Sequence, residues 1–170
     1  MIEPLRVDIF ADGASLDSIK ALRADHRIKG FTTNPTLCRK AGVTDYMKFA
    51  HEAAAAVYPL PISLEVFADD LNEMRQQAIV LAAIGTNVNV KIPITNTIGH
   101  YTGILIWDLA RKGITVNVTA IFTTAQALLA AEALKGSKGY LSIFAGRIAD
   151  TGIDPEETIR TVRGICSADL

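Results

Sequence analysis

The chain lacks an excess of charge of either sign: 17 Lys and Arg stand against 18 Asp and Glu among 170 residues. No basic stripe runs along it, which argues against a nucleic-acid partner. No apolar run reaches the roughly 18 residues of a membrane-spanning helix, so no membrane is expected either. Residues 1–10 carry Glu3, Arg6 and Asp8, which breaks the apolar core that a signal peptide needs. Cysteine is scarce. Cys38 and Cys166 are far apart and in no metal or redox spacing, the usage expected of a reducing cytoplasm. His26, His51 and His100 are scattered, with no pairing at ligand spacing, so a metal site is not expected. Linkers and low-complexity tracts are absent, and residues 1–170 read as a single domain long enough for a real core.

What is present is alternation. Residues 6–11, 28–32, 62–67, 88–93, 115–121 and 140–144 are mostly apolar, rich in Val, Ile and Phe, and read as strands covered on both faces. Helix signals fill the gaps. Ser15 caps 16–25, Asp69 caps 70–84 before Gly85, and an Ala-rich run fills 45–57. Residues 98–112 stop at Gly113. Thr123 or Thr124 caps 125–135 before Gly136, and Asp154-Pro155 opens 155–165. Six consecutive βα units predict a parallel sheet, either open and doubly wound or a (β/α)8 barrel. An open nucleotide-binding sheet calls for a Gly-rich turn after its first strand. Asp12-Gly13-Ala14-Ser15 is neither G-x-G-x-x-G nor a phosphate loop, which favours the barrel. A full barrel typically takes about 250 residues, so two βα units are not accounted for.

Lys91 lies in the middle of the strand Asn87-Val88-Asn89-Val90-Lys91-Ile92-Pro93. Lysine is seldom buried unless paired, and burial disfavours an amine's protonated form. An unprotonated lysine is a nucleophile that forms a Schiff base with a carbonyl. The plain alternative is a lysine whose stem is covered and whose head reaches water. In a parallel barrel the active site lies at the C-terminal ends of the strands. Those ends carry Asp12, Thr32-Thr33-Asn34, Glu65, Lys91, Asn117 with Thr119, and Ser142 followed by Arg147. Singly each has a dull reading: a turn cap, ordinary Asn-Pro turn chemistry, a threonine in a strand. Jointly they suit an amine nucleophile. Asp12 can exchange a hydroxyl proton, and Glu65 with Thr119 can hold a water. Asn34 and Asn117 can bind sugar hydroxyls, and Arg147 can clamp a phosphate.

These stretches resemble the transaldolase family, in its small-subunit branch that includes the fructose-6-phosphate aldolases. The resemblance is carried by Gly30-Phe31-Thr32-Thr33-Asn34-Pro35-Thr36-Leu37, Leu64-Glu65-Val66, Val90-Lys91-Ile92-Pro93, Asn117-Val118-Thr119 and Ser142-Ile143-Phe144-Ala145-Gly146-Arg147-Ile148. It covers essentially the whole chain. It implies a metal-free class I (Schiff-base) barrel enzyme that acts on sugar phosphates without a cofactor, and a homo-oligomer. By resemblance Lys91 is the Schiff-base lysine, Asp12 the acid/base, and Glu65 with Thr119 hold the catalytic water. Thr33, Asn34, Asn117, Ser142 and Phe144 belong to the substrate site, and Arg147 meets the phosphate.

Two activities share that scaffold. A transaldolase passes dihydroxyacetone to an aldose phosphate, and an aldolase releases it. The aldolase branch typically has glutamine where this chain has Glu65 and tyrosine where it has Phe144, so the resemblance favours the transferase. Without two further strands, the first and sixth would be open edges. That leaves three readings: a shortened form of a longer protein, which is favoured; a barrel completed by a partner; or a non-catalytic interaction protein.

Overall fold

The computed structural model describes residues 7–168. Six strands are present: β1 (Ile9–Asp12), β2 (Ile28–Thr32), β3 (Ile62–Glu65), β4 (Val88–Pro93), β5 (Val116–Ile121) and β6 (Gly139–Ile143). Helices α1 (Leu16–Arg23), α2 (Pro35–Lys40), α3 (Tyr46–Val57), α4 (Leu71–Ala82), α5 (Gly103–Arg111), α6 (Thr124–Leu134), α7 (Ala145–Asp150) and α8 (Glu156–Ala168) alternate with them. Neighbouring strands in the sheet follow chain order, and the β1–β2, β2–β3, β4–β5 and β5–β6 pairs are parallel. These are six βα units of the (β/α)8 barrel class.

Local chemistry starts α1 and α6 where the sequence indicates, and Asp45, read from sequence as part of its helix, caps α3. Ser15, Asp45 and Thr123 each accept a hydrogen bond from a first-turn amide, and Thr123 forms a reciprocal box with Gln126. Gly113 and Gly136, at φ +82° and +72°, close α5 and α6 in the left-handed conformation. Gly30 of β2 is required by close approach, because a Cβ there would collide with the Phe10 ring of β1.

The chain forms two compact units, Met1–Glu65 with Val80–Asn89, and Val66–Ile79 with Val90–Leu170. In the first, α3 buries Ala50, Ala53, Ala54 and Val57, one helical face at i, i+3, i+4 and i+7. In the second, Val90, Ile92, Val116, Val118, Leu105, Ile106 and Leu109 are buried. Both faces of β4 are covered, as the apolar pattern of a parallel strand requires.

Several boundaries differ from expectation. The first strand is Ile9–Asp12 rather than 6–11, and Arg6 lies outside the described residues. Asp70, not Asp69, caps α4: its carboxylate accepts from Asn72 and Glu73 N–H. The Asp69 carboxylate instead accepts from Thr97 N–H and hydroxyl, at 2.8 and 2.7 Å. The helix expected from residue 98 begins at Gly103. Asn96 Oδ1 accepts from His100 N–H, Gly99 sits at φ +83°, and Thr95 bridges Tyr101, so this stretch closes as a loop. Two short helices were not foreseen, α2 and α7. The Asn34-Pro35 pair read as a turn is the cap and first residue of α2.

Candidate active site

In the second unit the site is built on β4 and β5. Lys91 is 6% exposed, so almost the whole residue is covered rather than extending freely into water. Its register partner on β5 is Asn117, and that of Pro93 is Thr119. Residues i and i+2 of a strand share a face, which puts Lys91 beside Asn117 with Thr119 one step further. Asn117 Oδ1 accepts from Ser142 Oγ of β6 at 2.7 Å. One face thus carries an amine, an amide and two hydroxyls across three strands, backed by Val90, Ile92, Val116 and Val118. Thr119 is buried, and its Oγ1 has no hydrogen-bond partner among the described residues. Thr102, fully buried, holds the end of β4 by donating to Pro93 O at 2.6 Å.

Phe144 caps α7, and its ring meets Phe122 edge-on at 5.4 Å. Arg147 lies on α7 with 74% of its side chain exposed and pairs with Asp150 at 3.3 Å. Ile143, Phe144, Arg147 and Asp150 line one open cleft, so a phosphate there would compete with the Asp150 carboxylate.

In the first unit Asp12 ends β1 and accepts from Thr32 Oγ1 of β2 at 2.8 Å. Thr33 is fully buried, 3.4 Å from Cys38 Sγ. Asn34 Oδ1 accepts from Leu37 N–H at 2.9 Å. The oxygen of Asn34 thus caps α2, and its amide N–H groups are what it can offer a sugar hydroxyl. Glu65 ends β3 half-buried. Tyr46 of α3 donates its hydroxyl to the Glu65 carbonyl oxygen at 2.9 Å. Burial, followed by the neighbouring Cys38 and Glu65 side chains, pushes the Tyr46 hydroxyl well above the ordinary phenol range. It therefore stays a donor at neutral pH and pins the strand end that carries Glu65.

Tyr46 carries no sequence expectation, and Thr32 is placed at its strand end by the sequence without a role of its own. Thr32 adjoins the Thr33-Asn34 motif and faces Asp12 by strand register, a relation that pairing β1 with β2 would have given. Tyr46 has no local signal, because its partner lies 19 residues away.

Fold and site together define a (β/α)8-class chain with a buried lysine on its fourth strand. Residues 9–169 match the family described as Transaldolase/Fructose-6-phosphate aldolase. The chain is 40% identical over 160 residues to the protein named "Probable transaldolase" of Maridesulfovibrio salexigens, covering 94% of this chain and 70% of that protein. It is 39% identical over 159 residues to the protein of the same name from Methanococcus maripaludis, with the same two coverages. For that of Sphingopyxis alaskensis the identity is 38% over 158 residues, or 91% of this chain and 67% of that one. The chain belongs to the transaldolase/fructose-6-phosphate aldolase family of enzymes.

Proposed function

We propose that this chain is a transaldolase working through a Schiff base on Lys91. The observation that carries the reading is the burial of Lys91 beside Asn117, itself bonded to Ser142. The donor is a ketose phosphate, fructose 6-phosphate or sedoheptulose 7-phosphate, and the acceptor an aldose phosphate. The Lys91 amine adds to the ketose C2 carbonyl, and loss of water leaves an iminium. A base takes the C4 hydroxyl proton, the C3–C4 bond breaks, and its electrons pass into the iminium to give an enamine. The shortened aldose departs, and the enamine carbon attacks the acceptor aldehyde. Hydrolysis then frees Lys91.

Asp12 is the group assigned to the hydroxyl proton. Glu65 and Thr119 are assigned to the water of dehydration and hydrolysis. Asn34, Asn117 and Ser142 take the dihydroxyacetone hydroxyls, Thr33 supports Asn34 from the core, and Arg147 takes the phosphate. Phe144 offers no hydroxyl to protonate the enamine, which favours transfer over release. The reading extends to one class I aldolase-type domain over 1–170, acting as a homo-oligomer in pentose-phosphate sugar interconversion in the cytoplasm. The even charge balance suits small sugar phosphates rather than nucleic acid. Among the described residues no helix is long and apolar enough to cross a membrane.

The discriminating assay measures free dihydroxyacetone from fructose 6-phosphate with and without erythrose 4-phosphate. A transaldolase forms sedoheptulose 7-phosphate with the acceptor and little free dihydroxyacetone without it. Rapid release without acceptor would make the chain an aldolase.

A further inference from the structure

The β5–β6 ladder is broken at one place. Val118 pairs with Leu141, and the next pair is Ile121 with Ile143. Thr119 and Ala120 therefore stand opposite the single residue Ser142, which is a β-bulge. Within it Ala120 has φ +58°, the one non-glycine residue at positive φ among those described. An L-residue is disfavoured there because its Cβ crowds the following carbonyl oxygen, and glycine is the usual occupant. Such backbone persists only where its surroundings over-determine it, and it gathers at functional sites.

The surroundings here hold both flanks. Ile94 N–H donates to Thr119 O at 2.9 Å, and Phe144 N–H donates to Ile121 O at 2.8 Å. The peptide units around Ala120 are thus tied to the strand of Lys91 on one side and to the start of α7 on the other. Beside this strained residue sits Thr119, 1% exposed, its Oγ1 buried with no partner among the described residues. A buried hydroxyl left unbonded is unfavourable, so the fold here gives up stability twice at adjacent residues.

We propose that Ala120 is a positioning residue whose left-handed conformation sets the direction of the Thr119 hydroxyl on the face of Lys91 and Asn117. The proposal rests on the transaldolase reading, in which that hydroxyl serves the water of iminium formation and hydrolysis. A regular β5 would keep Thr119 in a flat ladder with β6. The bulge increases the local twist and re-aims the side chain beside it.

The test is Ala120→Gly. Glycine adopts this φ without strain, so Tm is expected to rise by about 2 °C. The freed backbone lets Thr119 wander, and kcat is expected to fall about tenfold with KM for the ketose phosphate unchanged. The order parameter of the Thr119 methyl group, read by NMR, should fall in parallel. A Tm that stays level or drops would overturn the strain. Unchanged kcat and methyl order with a raised Tm would make Ala120 merely structural. Should the wild-type protein form no Lys91 adduct, the transaldolase reading fails by itself, and Tm with methyl order still decides whether Ala120 holds Thr119.

Discussion

Ser142 Oγ donates to Asn117 Oδ1 at 2.7 Å, joining β6 to the residue that stands beside Lys91 across the β4–β5 ladder. Asn117 is buried, so this bond fixes which way its amide faces. Ser142→Ala removes this donor from the Asn117 amide oxygen. The expected cost is about 1 kcal/mol of stability. KM for fructose 6-phosphate should rise about fivefold, the factor that such an energy gives. Thermal unfolding and steady-state kinetics on the same preparation check both.

Arg147 is an exposed cation already paired with Asp150, and a substrate phosphate is expected to take over that pairing. Arg147→Ala should raise KM for phosphorylated sugars about tenfold or more, the worth of a charged hydrogen bond. KM for unphosphorylated dihydroxyacetone should barely move. Equal rises for both substrates would argue against a phosphate clamp.

Phe144 packs edge-on against Phe122 and begins the cleft of Arg147. Phe144→Tyr keeps the ring and adds a hydroxyl able to protonate the enamine. Free dihydroxyacetone released without acceptor is expected to increase about tenfold, a small share of what general acid catalysis can supply. An unchanged release rate would detach Phe144 from the choice between transfer and cleavage.

Much of this site was legible in the sequence because its carriers are periodic. Lys91, Asn117 and Thr119 fall at strand positions whose alternation fixes their face, and Ser15 and Thr123 cap helices through bonds to their own first turns. What was not legible depends on distant partners. The loop that delays α5 to Gly103 is tied at Thr97 to Asp69, 28 residues away. Tyr46 reaches Glu65 across the first unit. Ala120 gives no sign of its positive φ, since an alanine in an apolar strand reads as regular.

The Asp69–Thr97 contact makes a pH prediction. The Thr97 hydroxyl, then its N–H, lower the Asp69 pKa below the ordinary carboxylate value. A group whose folded pKa is depressed stabilises above its unfolded pKa, about 3.9, and loses that contribution as pH falls through the folded value. Asp69→Asn should therefore lower Tm at neutral pH, and the gap from wild type should narrow as pH falls below about 4. A gap that stays constant down to pH about 2 would show that ionised Asp69 is not what holds the loop after β4.

Schiff-base chemistry at Lys91 is the central claim, and reductive trapping addresses it most directly. The protein is incubated with fructose 6-phosphate and borohydride, then digested for peptide mass analysis, with Lys91→Arg alongside. The account predicts a reduced dihydroxyacetone adduct on the Lys91 peptide of the wild type and none in the variant. A folded wild-type protein that acquires no adduct on Lys91 would contradict it.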